Sequence, residues 1–151
     1  MTSVTVTALD GIVVADFSRV LAGPYATMML GDLGAQVHKV ERPGVGDDTR
    51  RWGPPYAENG QSTYFQSINR NKDCLALDLH SDTGVTQARE LIRRSDVVIE
   101  NFKTGTMARL GLDYDTLAVD QPQLVYCSIT GFGAKEGRDL PGYDLLVQAM
   151  G

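Results

Sequence analysis

Short β-branched and aliphatic runs alternate with segments of helical period along most of the chain. Ile12 to Phe17 (Ile-Val-Val-Ala-Asp-Phe) is almost continuously apolar and predicts a buried strand. Ala22 to Leu33 predicts a helix, with Pro24 in its first turn, Ala26, Met29, Leu30 and Leu33 on one face, and Gly34 just past its end. Gln36 to Glu41 alternates polar with apolar and predicts a second strand. Pro43 to Gln61 is rich in Gly, Pro and charge and reads as a long loop, a length usually tied to function or mobility. Leu75 to Leu79 predicts another strand. A helix follows through Arg94, capped by Ser81, with Val85, Ala88, Leu91 and Ile92 on its apolar face. Val97 to Ile99 and Leu124 to Ile129 predict buried strands. Gly105 to Leu110 and Tyr114 to Val119 predict short helices, and Asp144 to Met150 begins another. Strands alternating with helices, several of them uniformly apolar, define the α/β class: an open, mostly parallel sheet with flanking helices. There is no internal repeat and no low-complexity linker. The last helical pattern reaches Gly151 without a stop signal, so the chain is expected to be part of a longer protein.

Composition narrows the possibilities. The 151 residues are 42% hydrophobic and 22% charged, ordinary globular usage that excludes collagen-like, coiled-coil and disordered chains and suffices for one core. Fourteen basic against 19 acidic residues give a net charge of −5, against the basic excess of nucleic-acid binders. An anionic ligand then requires a local cluster of cations. Cys74 and Cys127 fit no metal spacing, and Cys127, inside Leu124 to Ile129, reads as a small buried hydrophobe. No apolar run approaches the length of a membrane span, and Met1 to Val4 lacks the features of a secretory start. A reducing, cytoplasmic setting without nucleic-acid or membrane partners is the expectation.

Three places can carry chemistry. The first strand–helix junction, Asp16 to Tyr25, lies where ligands sit in open α/β sheets, and it contains neither a G-x-G-x-x-G fingerprint nor a lysine-bearing phosphate loop. A plain turn before a helix-starting proline explains it equally well. Lys39, Arg42, Arg70, Lys72 and Arg109 follow or flank strands, so parallel strands can bring them to one rim facing phosphates. Taken one at a time, a solvated surface charge is the commoner reading of each. The Gly-rich loop Thr130 to Asp144 permits close backbone approach to a ligand, and Asp144 is either a helix N-cap or a cleft residue beside Tyr143. His38 and His80 are weak signals: a structural strand residue and an exposed residue before a helix. No nucleophile triad or metal cluster can be assembled.

Five of these motifs stand in a familiar order: Asp16 to Tyr25, Leu33 to Pro43, Asn69 to Lys72, Glu100 to Phe102, and Pro141 to Asp144. In that order the chain resembles the class III coenzyme A transferases (the CaiB/BaiF type), whose relatives include formyl-CoA transferase and the α-methylacyl-CoA racemases. The likeness runs from Leu9 to Gly151. It implies that residues 1–151 form the N-terminal part of a large, Rossmann-like CoA-binding domain, with a small domain elsewhere and two full-length chains interlocked as a homodimer. It implies coenzyme A as substrate, no permanently bound cofactor, and acyl-CoA and carboxylic acid partners. Val20, Leu21 and Ala22 then lie near the thioester end. Arg42, Lys72 and Arg109 meet the nucleotide phosphates, and Asn101 and Phe102 pack along the CoA. The family's aspartate nucleophile would lie beyond Gly151, with Tyr143 and Asp144 as neighbours of the site, so this stretch alone is expected to be inactive. Two other readings stand beside the transferase: a racemase-type isomerase and a non-catalytic α/β module. Tyr143 stands where the racemases carry histidine, and a tyrosine hydroxyl is a poor base near neutrality, which favours the transferase. Leu21 replaces a glutamine common in formyl-CoA transferases and implies a less polar acyl group than formate or oxalate.

Overall fold

A computed structural model describes residues 7–133 and 135–150. The start at Met1 to Val4, Ala134 of the Gly-rich loop, and Gly151 lie outside the described residues. Five strands form one sheet: β1 (Val13–Asp16), β2 (Gln36–Glu41), β3 (Lys72–Ala76), β4 (Val97–Glu100) and β5 (Val125–Ser128). Their order is β3-β2-β1-β4-β5 and each neighbouring pair is parallel. The helices are α1 (Ala22–Asp32), α2 (Thr63–Ile68), α3 (Asp82–Arg93), α4 (Thr106–Arg109), α5 (Tyr114–Leu117) and α6 (Asp144–Met150). The chain leaves β1 toward β2 on one side and returns to β4 on the other. That reversal, the Rossmann-like switch point, opens a crevice at the carboxyl ends of the strands.

The strands are apolar because both sheet faces are covered. Ala15, Phe17 and Val98 pack against Ala88, Leu91 and Ile92 of α3, together with Met107, Leu112 and Leu117. Val14, Val37 and Ile99 form a second cluster on the opposite face, as the two-residue period requires. The predicted α3 is present: the Ser81 hydroxyl accepts from the Gly84 N–H at 3.1 Å, and Asp82 and Arg93 suit the helix dipole.

Four expectations are corrected. First, α1 turns a different face inward: Gly23, Pro24, Thr27 and Met28 are buried, whereas Met29 and Leu33 are about half exposed. The Thr27 hydroxyl donates to Asp16 at 2.6 Å, and a Cβ on Gly23 would collide with the Ser18 side chain, so polar anchoring and close approach fix the rotation of the helix. Second, β3 begins at Lys72 rather than Leu75 and ends before Leu77, which is freed for the crevice. Third, the long loop contains a 3₁₀ turn (Asp48–Arg51), and α2 follows it. Fourth, Cys127 is exposed, because β5 is an edge strand whose outer residues meet no covering element among the described residues.

Candidate functional site

The first junction is held from below by buried charge. Asp16, fully buried at the end of β1, accepts from the Ser18 N–H at 2.9 Å, from the Ser18 hydroxyl, from Thr27, and from Lys72 Nζ at 3.2 Å. Lys72 also donates to the Pro24 carbonyl at 2.8 Å and to Asn69 Oδ1 at 2.9 Å, which occupies all three of its protons. Its side chain has no exposed surface. The expected phosphate contact is therefore corrected: Lys72 braces the loop from the interior and does not reach the rim. Burial pushes its pKa down to about 8 against the pull of Asp16.

A second buried pair stands beside it. Lys39 Nζ lies 2.9 Å from Asp47 and 2.8 Å from the Ser18 carbonyl, with both side chains fully enclosed. Asp47 also accepts from the Thr49 N–H and hydroxyl and, at 3.3 Å, from the Val20 N–H. Burial pushes the Asp47 carboxyl upward, but the Lys39 charge and the Thr49 hydrogen bonds outweigh it, so its pKa lies below the ordinary value. Asn101 closes the frame by accepting from the Arg19 N–H and donating to the Arg19 carbonyl, each at 2.8 Å. Under these constraints Val20 takes φ +68°, a left-handed conformation that β-branched residues rarely adopt.

Above this frame lies a cleft of about 610 Å³ at the ends of β1, β2 and β3. Phe17, Val40, Leu77, Leu79, Phe102 and Leu110 supply its apolar lining; Arg19, Arg42, Arg109 and His80 add polar groups, beside Asp78, Glu41 (paired with Arg50) and Asp47 (paired with Lys39). Arg42 donates to Asp48 at 2.7 Å. Arg109, at the end of α4, donates to Thr106 Oγ1 at 3.0 Å and is otherwise exposed. The Arg19 guanidinium carbon lies 5.8 Å from the centre of the Phe102 ring. Pooled cations over an apolar floor suit an anionic ligand with a flat or aliphatic part.

Of the residues singled out from sequence, the cleft lining brings together Lys39, Arg42, Phe102 and Arg109, with Lys39 enclosed in its wall and held by Asp47. Asn101 stands behind it as a backbone brace. Val20, Leu21 and Ala22 form the junction at the start of α1, outside the cleft lining, with Leu21 and Ala22 exposed. Tyr143 and Asp144 are exposed at the start of α6, where Asp144 accepts from Gln148 at 2.8 Å. Arg19, Leu77, Leu79 and His80 were not in the predicted set. Arg19 was legible as a cation placed directly on the first junction, whereas Leu77 and Leu79 became cleft residues only once β3 ended early. Among the described residues, no group of three or more His, Cys, Asp or Glu could hold a metal, and no helix is long and apolar enough to cross a membrane.

A parallel sheet of this order, with a cleft at its switch point, defines a Rossmann-like ligand-binding α/β fold. The family model for CoA-transferase family III matches residues 9–151, and the chain belongs to that family. It is 49% identical over 143 residues to the succinyl-CoA:glutarate CoA-transferase of Mus musculus, covering 94% of this chain and 33% of the relative. It is 50% identical over 148 residues to the succinate–glutarate CoA-transferase of Agrobacterium fabrum, covering 94% and 37%. The acetyl-CoA:oxalate CoA-transferase of Acetobacter aceti is 44% identical over 142 residues, covering 93% and 36%. A CaiB/BaiF family protein from Brucella suis, solved by crystallography, superposes with a TM-score of 0.90 at 47% identity, covering 96% of this chain and 39% of that one. The chain thus spans about a third of the length of the curated relatives it matches.

Proposed function

We propose that the cleft binds coenzyme A as a substrate and that the whole protein is a class III CoA transferase. In this reading Arg42, Arg109 and Arg19 meet the nucleotide phosphates, Phe102 and the leucine floor hold the apolar parts, and Val20, Leu21 and Ala22 approach the thioester. The observation that carries it is the meeting of three arginines, far apart in sequence, on one apolar cleft at the strand ends.

The chemistry uses an aspartate about thirty residues past Tyr143 and Asp144, acting as a carboxylate nucleophile. It attacks the donor thioester and expels CoA thiolate, leaving an acyl–aspartyl anhydride. The thiolate then attacks the aspartyl carbonyl, forming an aspartyl thioester and releasing the donor acid. An acceptor carboxylate attacks that thioester, and the thiolate takes the acceptor acyl group from the second anhydride. No other cofactor enters. Residues 1–151 are then the N-terminal part of the large domain of a cytoplasmic, interlocked homodimer.

The names of the relatives, several of them for succinyl-CoA and dicarboxylic acids, together with Leu21 in place of glutamine, favour succinyl-CoA as donor and a dicarboxylic acid longer than oxalate as acceptor. The test is calorimetry of the full-length protein with CoA, followed by exchange of CoA between succinyl-CoA and glutarate. Absence of CoA binding refutes the reading. Deuterium uptake at C2 of a 2-methylacyl-CoA without an acceptor acid would instead make the protein a racemase. A preference for formyl-CoA refutes the acyl assignment.

A further inference from the structure

Arg42, just past β2, and Arg19, on the first junction, both line the cleft and share a single counter-ion. Asp48 Oδ1 lies 2.7 Å from Arg42 Nη2, and Asp48 Oδ2 lies 3.5 Å from Arg19 Nη1. One carboxylate thus accepts from two guanidinium groups, as a phosphate oxygen pair does. All three side chains are partly exposed, between 39% and 48%, so the arrangement lies within reach of solvent and ligand. It differs from the neighbouring Lys39–Asp47 and Lys72–Asp16 pairs, which are wholly enclosed and have no free surface to offer. The Asp48 arrangement is also incomplete. Arg19 Nε is buried and has no hydrogen-bond partner among the described residues, so the contact with Asp48 leaves one of its donors unmet there.

We propose that Asp48, which stands behind two cleft-lining arginines and not in the lining itself, sets the affinity of the cleft: it is an internal counter-ion from which an incoming phosphate takes over Arg42 and Arg19. Exchange is easy because an exposed ion pair is only weakly held. It is not free, because the negative charge of Asp48 stays beside the bound phosphate and repels it. Asp48 therefore keeps CoA binding weaker than the arginines alone would make it, which speeds the release of CoA products. This rests on the CoA reading of the cleft and adds the residue that tunes it.

The test is the Kd of CoA for the full-length protein carrying Asp48→Asn, measured by calorimetry beside the unmodified protein at low and high salt. Asparagine keeps the shape and an acceptor while removing the charge. The expected result is binding about 3- to 10-fold tighter at low salt, the gain shrinking as salt screens the charges, with the thermal midpoint nearly unmoved. Asp48→Ala, which removes the acceptor together with the charge, is expected to bind tighter than the unmodified protein as well. If both variants bind CoA no more tightly than the unmodified protein, Asp48 is an orienting group or a bystander and the proposal is overturned. If the unmodified protein binds no CoA at all, the cleft assignment fails instead, and the two failures are told apart in one experiment.

Discussion

Lys39→Met isolates the worth of the enclosed Lys39–Asp47 pair. Methionine keeps an unbranched, apolar stem of similar length, so little hydrophobic burial is lost. What disappears is one charge. Asp47 keeps its Thr49 bonds and the Val20 amide but no longer faces a cation, and the Ser18 carbonyl loses its donor at 2.8 Å. Removing one partner of a buried pair costs about 3–5 kcal/mol, because the remaining charge stays out of water. Against the 5–15 kcal/mol that typically holds a domain together, that is a large share. The assay is urea unfolding of the protein and of Lys39→Met, Asp47→Asn and the double variant. The double variant is expected to be more stable than Lys39→Met alone, since Asn keeps the Thr49 contacts without a stranded charge. The pH dependence carries the sign. In the unmodified protein Asp47 titrates below its ordinary value, so its contribution is present above that value and is lost as pH falls through the folded pKa. In Lys39→Met, burial is opposed only by the remaining hydrogen bonds, so the Asp47 pKa rises relative to the unmodified protein, protonation relieves the variant and the gap narrows on acidification. A loss below about 1 kcal/mol, or a double variant as unstable as the sum of the single ones, would refute the reasoning.

Three further outcomes are expected. Arg109→Ala weakens CoA binding by about 1–3 kcal/mol in calorimetry, with the thermal midpoint nearly unchanged because the side chain is exposed. Val20→Gly, which relieves φ +68° at a β-branched residue, gains about 1 kcal/mol by urea unfolding once glycine's greater unfolded-state freedom is subtracted; a net loss would show the conformation to be unstrained. The Lys72 ammonium, followed by the ¹³Cε shift of labelled lysine, titrates at about 8 instead of 10.5. Between those values the unfolded chain binds more protons, so this group makes stability rise with pH there.

The α/β class, the strands themselves and the α3 cap were legible because each rests on local pattern: β-branched runs, Ser81 before an amphipathic stretch, glycine after α1. That Arg42, Phe102 and Arg109 gather at the cleft was legible because they follow strand ends, and Arg42 and Phe102 also lie within the family motifs. The destinations of side chains were not. Lys72 has the look of any surface cation in Asn69 to Lys72, and only the path from β3 under the junction to Asp16 turns it inward. The face of α1 misled for a related reason: Thr27 is polar by type, yet it is drawn into the interior by a carboxylate eleven positions earlier. Leu77 and Leu79 depended on where β3 stops pairing, which is settled by its register with β2.

Three successive amides at the first junction donate to side chains instead of to backbone: Ser18 to Asp16, Arg19 to Asn101, and Val20 to Asp47. The acceptors come from the end of β1, from just past β4 and from the loop after β2. The contour of this turn is therefore written in positions scattered across more than eighty residues. Grafting Asp16 to Tyr25 into another scaffold would carry over the letters and leave the shape behind. A chimera that exchanges the segment between family members will keep its geometry only when Asn101 and Asp47 travel with it.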